Sequence, residues 1–168
     1  MKKIIPFIVI ISILSFFLPS CNGNDSNPET NYYMKAKIND TIDFKSESYL
    51  AQSIFLQVEN TISFTGMTSD NRSIAILIDT SDYSGGVATY NEQKVTFMFS
   101  IDQNSGGVAY SSILDGQGTL TITEEDGNHV KGTFNFTANL VGGNPQDYNL
   151  GQTVTITNGT FNSKKINY

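Results

Sequence analysis

From Tyr32 onward the apolar residues of this chain fall on every second position, in short runs divided by turn residues. That spacing constrains the fold more than any other feature. Met34, Ala36 and Ile38 alternate with Lys35 and Lys37, the period of a strand with one face on a core. Ile74, Ile76 and Ile78 repeat the pattern, and Leu77 on the opposite face predicts that both sides are partly covered. Val95, Phe97, Phe99 and Ile101 form the most continuous core stripe. Leu120 and Ile122 face away from Thr119, Thr121 and Thr123, and Val130, Phe134, Phe136 and Ala138 carry a returning strand. Residues 54–58, 61–67 and 87–90 read as further strands, and Val154 and Ile156 start a last strand pair.

The breaks between runs have turn chemistry. Asn39-Asp40 fits a tight hairpin before Thr41, Ile42 and Phe44, and Asp126-Gly127 is a strong two-residue hairpin signal. Asn60, Ser69-Asp70-Asn71 and Ser84-Gly85-Gly86 mark other breaks, 142–151 reads as a loop, and Asn158-Gly159 as a turn or bulge. Short matches recur at irregular spacing: SGGVA at Ser84 and Ser105, and GTLTIT, GTFNFT and GTFN at Gly118, Gly132 and Gly159. They describe a repeated hairpin grammar, not a solenoid. No window has useful helical periodicity, and Thr, Val, Ile, Phe and Tyr fill the runs as strands prefer. The expected fold is all-β: an antiparallel meander of about ten short strands closed as a barrel or folded as a sandwich, the barrel favoured.

Ahead of this text stands a different one. Lys2 and Lys3 precede an apolar run at 4–18 broken only by Pro6, Ser12 and Ser15. The run is short for a membrane-crossing helix, which needs roughly 18 or more apolar residues, and it has the layout of a secretory signal peptide. Leu18-Pro19-Ser20-Cys21 closes it. This tetrapeptide resembles the lipobox of bacterial lipoprotein precursors, with Pro19 a departure from the commonest residue at its position. The resemblance implies that the Cys21 thiol receives a diacylglycerol, that residues 1–20 are removed, and that Cys21 becomes the N-terminus. Two or three acyl chains, at about 0.8 kcal/mol per buried methylene, hold a protein stably on a membrane. The implied location is the envelope of a Gram-negative bacterium, on the periplasmic or the outer face of its outer membrane. Residues 21–31 lack large apolar residues and read as a flexible tether with a reach of roughly 15–20 Å; residues 32–168 form a single β domain.

Of 168 residues, 148 remain without the leader, enough for one domain with a true core. The leader holds two lysines and no acids, so the net charge of −6 becomes −8 without it. An acidic chain with scattered lysines argues against a nucleic-acid partner and against electrostatic attraction to anionic head groups. Cys21 is the one cysteine, so no disulfide forms within the chain.

Catalytic signatures do not occur. His129 is the sole histidine, which excludes a histidine cluster for zinc within one chain. Any Ser-His-Asp triad would need it, and its place after Glu124-Glu125-Asp126-Gly127 predicts a solvent-facing residue on a hairpin shoulder. Asp79 and Asp82 in a Gly-rich loop, or Glu124, Glu125 and Asp126 together, have the oxygen chemistry of calcium ligands but not the EF-hand pattern, and are expected to be solvated turn acids. Tyr83, Tyr90, Tyr110 and Tyr148, in or beside Gly-rich turns, are expected to cap the fold rather than form a binding rim. No enzymatic activity, cofactor or metal is expected.

The strand sequences MKAKIN (34–39), RSIAILI (72–78), GTLTITE (118–124), VKGTFNFTA (130–138) and VTITNGTFN (154–162) resemble an uncharacterised family of small lipoproteins from Bacteroidetes-type bacteria. The resemblance implies a lipid-anchored β domain and brings no activity or site residues. The expected function is a non-catalytic binding module held on the membrane through Cys21, recognising an envelope protein or glycan. The alternatives are a lipocalin-like carrier of a small hydrophobic ligand and an envelope hydrolase built around His129.

Overall fold

The alternating runs become eleven strands in a computed structural model that describes residues 32–46, 54–58, 60–101 and 107–166. The leader, Cys21 and the tether lie outside the described residues. The strands are β1 (Tyr33–Ile38), β2 (Ile42–Ser46), β3 (Ile54–Val58), β4 (Thr61–Met67), β5 (Arg72–Asp79), β6 (Ala88–Asn91), β7 (Val95–Ile101), β8 (Val108–Ser111), β9 (Gly118–Glu125), β10 (His129–Gly142) and β11 (Thr153–Ile166). A single 3-10 turn, Pro145–Tyr148, interrupts the loop between β10 and β11. No α-helix occurs among the described residues, and the all-β expectation holds.

The sheet curls because two strands are long enough to serve several neighbours. β10 and β11, 14 residues each, pair antiparallel from His129↔Lys164 to Asn139↔Thr153. On its free edge β10 pairs β9 and then β8, and β11 pairs β1 and then β3. The path β3-β4-β5-β7-β8 joins the two, so the pairings return on themselves; β1-β2 and β9-β6 branch from β11 and β10. Two features depart from a plain meander. β3 meets β11 in parallel, and β6 leaves its sequence neighbours to pair with β9.

Asn158-Gly159 is a bulge inside one strand, not the turn of a strand pair. β11 advances three residues, Ile156 to Gly159, while β10 advances two, Phe136 to Phe134, and Asn158 takes the left-handed conformation that absorbs the extra residue (φ 53). The Asn39-Asp40 hairpin forms as expected, with both residues left-handed (φ 49 and 59), as a type I′ turn requires. β8 is a strand that alternation did not disclose.

Inside the curl lie the predicted stripes. Ile74, Ile76, Ile78, Val95, Phe97, Phe99, Leu120, Ile122, Val130, Phe134, Phe136 and Ala138 are all buried, while Leu77 is half-covered on the outer face. Phe97 stacks on Phe136 with ring centres 4.9 Å apart, and Phe161 contacts Phe64 and Phe134 at 5.1 and 6.3 Å.

Candidate functional site

The described residues concentrate their charged chemistry on the hairpin between β9 and β10. Its turn forms one residue later than the Asp126-Gly127 signal suggests. The Asp126 carboxylate Oδ1 accepts the amides of Asn128 (2.7 Å) and His129 (2.9 Å), and Asp126 N donates to His129 O. Gly127 and Asn128 are thus the central residues, neither of them left-handed.

Register decides which side chains meet. Lys131 stands opposite Glu124 and Val130 opposite Glu125. Strand alternation therefore puts Glu124, Asp126, His129 and Lys131 on one face and sends Glu125 to the other. His129 Nε2 lies 2.8 Å from Glu124 Oε1, and its Nδ1 lies 3.1 Å from Asp126 Oδ2. Lys131 Nζ donates to both oxygens of Glu124 at 3.1 and 2.9 Å. The hydrogen bond from Lys131, then that with His129, holds the Glu124 carboxyl below the usual range; the amides of Asn128 and His129 do the same for Asp126. The His129 side chain is only 13% exposed, so the expected solvent-facing residue is instead enclosed by two carboxylates. Ligand atoms of Glu124, Asp126 and His129 lie within 4.8 Å of one another. The spacing Glu-x-Asp on one strand face, closed by a histidine just past the turn, was the available signal.

Glu125 does not join them, which breaks up the acidic trio read as one group from the sequence. It shares the inward face with Val130 and accepts Tyr83 Oη (2.8 Å), Lys165 Nζ (2.6 Å) and the amide of Gly86. Burial pushes its carboxyl up, but the bonds from Lys165, Tyr83 and Gly86 outweigh it and the net shift is downward. Burial, reinforced by this carboxylate, pushes the Tyr83 hydroxyl far above its ordinary value.

The remaining candidates are structural. Asp79 Oδ1 accepts the amide and hydroxyl of Ser81, and Asp82 pairs with Lys94 at 3.6 Å. Tyr83 stacks on Tyr90 at 5.9 Å, Tyr110 is buried with its hydroxyl on Gly151 O, and Tyr148 packs against the core. Two shallow recesses open on the outside. One, of about 340 Å³, lies along β1 and β2 between Lys35, Lys37, Lys45 and Asn158; the other, of about 320 Å³, lies beside β6 near Asp82 and Lys94. Cys21 lies outside the described residues.

Residues 30–163 match the family model of a domain of unknown function, DUF6252. No curated protein and no solved structure matches the chain.

Proposed function

The chain belongs to the DUF6252 family, and from that premise we propose that it is a lipoprotein held on the outer membrane through Cys21, whose β domain is a non-catalytic binding module. The observation that carries the binding reading is one pair of adjacent exposed apolar side chains, in the turn after β8. Tyr33, the first strand residue after the tether, lies on a line of paired residues running through Asn162 and Lys131 to Glu124. The turn after β8 lies at the opposite end of β10, where Ser111 pairs with Asn139. That turn presents Ile113 and Leu114 side by side, 52% and 55% exposed. Two neighbouring apolar side chains displayed on a turn suit a module that meets a partner there.

A carrier has less behind it, because the phenylalanines expected to line a cavity stack on one another. For a hydrolase, both His129 nitrogens are engaged by carboxylates, which leaves no nitrogen facing a hydroxyl nucleophile.

Two experiments test the parts separately. Cys21→Ser should abolish palmitate labelling and release or stall the protein; unchanged labelling refutes the anchor. Crosslinking in intact envelopes should recover a recurrent partner with the native chain and lose it with Ile113→Ser/Leu114→Ser. No recurrent partner, or equal recovery with the double variant, overturns the binding reading.

A further inference from the structure

We infer that β6 is a self-association edge: the free side of residues 87–91 pairs antiparallel with the same segment of a second copy of this chain. The sheet order ends on two strands, β2 and β6. β6 pairs with β9 along one side, and among the described residues no backbone group outside β9 bonds to the backbone of residues 87–90. An unpaired row of N–H and C=O groups is a template for another extended chain. A recess of about 320 Å³ runs beside Ala88, Thr89, Tyr90 and Asn91 and keeps that side open. Sheet edges are ordinarily guarded by charged side chains, prolines, bulges or covering groups. β2 has such guards: Asp43 and Lys45 are exposed on it, and Arg72 Nη1 holds the Asp43 carbonyl. β6 has none of these, and Val87 just before it is 75% exposed. Its one safeguard is its length of four residues.

The segment suits the edge as its own partner. Antiparallel pairing about a two-fold axis at Thr89 sets Thr89 opposite Thr89, Ala88 opposite Tyr90 and Val87 opposite Asn91 of the second copy. Residues 87–91 carry no charge, and Glu92 falls opposite Gly86. Two chains of net charge −6 therefore meet here without like charges across the ladder. The Thr89 hydroxyl already lies 3.2 Å from that of Thr121, Thr121 pairs with Thr133, and Thr133 with Thr160. The axis joins this row of threonines to its copy, and Thr–Thr pairs are favourable cross-strand neighbours. With β6 used on both chains and β2 guarded, the assembly closes at two. Four-residue strands make an interface below the roughly 1,200 Å² of stable complexes, so the dimer is reversible.

The test uses the full chain in detergent micelles. Under mild oxidation Thr89→Cys should form a disulfide dimer at least about fivefold faster than Thr133→Cys, because directly opposed residues lie within disulfide reach. Thr133 is exposed in the same row, two strands inward. The native chain, whose one cysteine is Cys21, is the blank. Thr89→Lys puts a guard on the edge and should move self-association, read by sedimentation, to at least about tenfold higher protein concentration. A circular dichroism spectrum matching the native one establishes that each variant is folded. Equal crosslinking of the two cysteine variants, or native and Thr89→Lys chains that sediment alike, overturns the dimer. So does Thr89→Cys that is joined only to another protein when intact envelopes are oxidised, which would give the edge to a foreign strand.

Discussion

Phe134 lays its ring over Gly159 in the paired strand: a Cβ on that glycine would stand 2.5 Å from the ring's Cδ2. The relationship is reciprocal, since a Cβ on Gly132 would stand 2.6 Å from Cζ of Phe161. The register explains it. Gly132, Thr133 and Phe134 pair with Phe161, Thr160 and Gly159, so two copies of the tripeptide GTF run antiparallel and each phenylalanine covers the other's glycine. The third copy varies the theme, with Gly118 opposite Phe136. Aromatic cover of a strand glycine replaces the packing that the missing side chain cannot supply. The repeats therefore record a pairing rule, which is why their spacing along the chain is irregular.

Filling either glycine is expected to be costly. Gly159→Ala forces a methyl into the Phe134 ring and should destabilise the domain by about 1–3 kcal/mol through overpacking. Gly127→Ala is the control: nothing lies within 4 Å of its added carbon, and a change within about 0.5 kcal/mol is expected. Urea midpoints of the two variants check the contrast, and equal midpoints would refute the cover.

Much of this was legible beforehand, and the exceptions share a physical cause. Alternation identified the buried face of β1, β5, β7, β9 and β10, because side-chain period depends only on local backbone geometry. Partner and register are not local. The dipeptide Asn158-Gly159 suits a turn or a bulge equally, and which one forms is decided by β10 and β1 on either side of it. β8 is four residues long, too short for a period to declare itself. Beyond the β9–β10 turn, β9 advances two residues, Glu124 to Ile122, where β10 advances one, Lys131 to Gly132. Nothing in the composition of the turn specifies that bulge.

Acid should loosen the β9–β10 hairpin. Glu124 and Asp126 are held below ordinary carboxyl values in the folded chain, so the unfolded chain, titrating near about 4, takes up these protons first. Their stabilisation is complete above about pH 5 and is lost as the pH falls through the folded values. Urea unfolding across about pH 3–7 should show that decline, with a shallower slope in Glu124→Gln/Asp126→Asn. An identical slope would mean that the pairs contribute nothing in solution.

Tyr83 should be slow to ionise. Burial, then its hydrogen bond to Glu125, both disfavour the phenolate. Spectrophotometric titration from about pH 9 to 12 should find Tyr83 missing from the tyrosines that titrate in the folded chain, with Tyr110 displaced upward by burial as well, whereas in urea model phenols ionise near about 10. Tyr83→Phe should reduce the difference between folded and unfolded chain by one tyrosine and cost about 1 kcal/mol, because Glu125 keeps Lys165 and the Gly86 amide but loses one donor. A full complement of titrating tyrosines in the folded state would show that the Tyr83–Glu125 bond is not held.

Arg72 joins two segments that strand pairing leaves apart. Its Nε and Nη2 hold Asp70 in the β4–β5 turn, the latter at 2.7 Å. Its Nη1 donates to the backbone oxygen of Asp43 on β2 at 2.9 Å. Asp70 is 58% exposed, and surface pairs of this kind contribute little by themselves. The value of the arginine lies in the fork, which positions one arm on β2 while the other two stay on the turn. Arg72→Lys keeps the charge and loses that geometry. The expected result is a small global loss, about 1 kcal/mol, with faster hydrogen exchange at the β2 amides and unchanged protection in β10 and β11. A uniform increase across the sheet would instead mean that Arg72 supports the fold as a whole and has no special hold on β2.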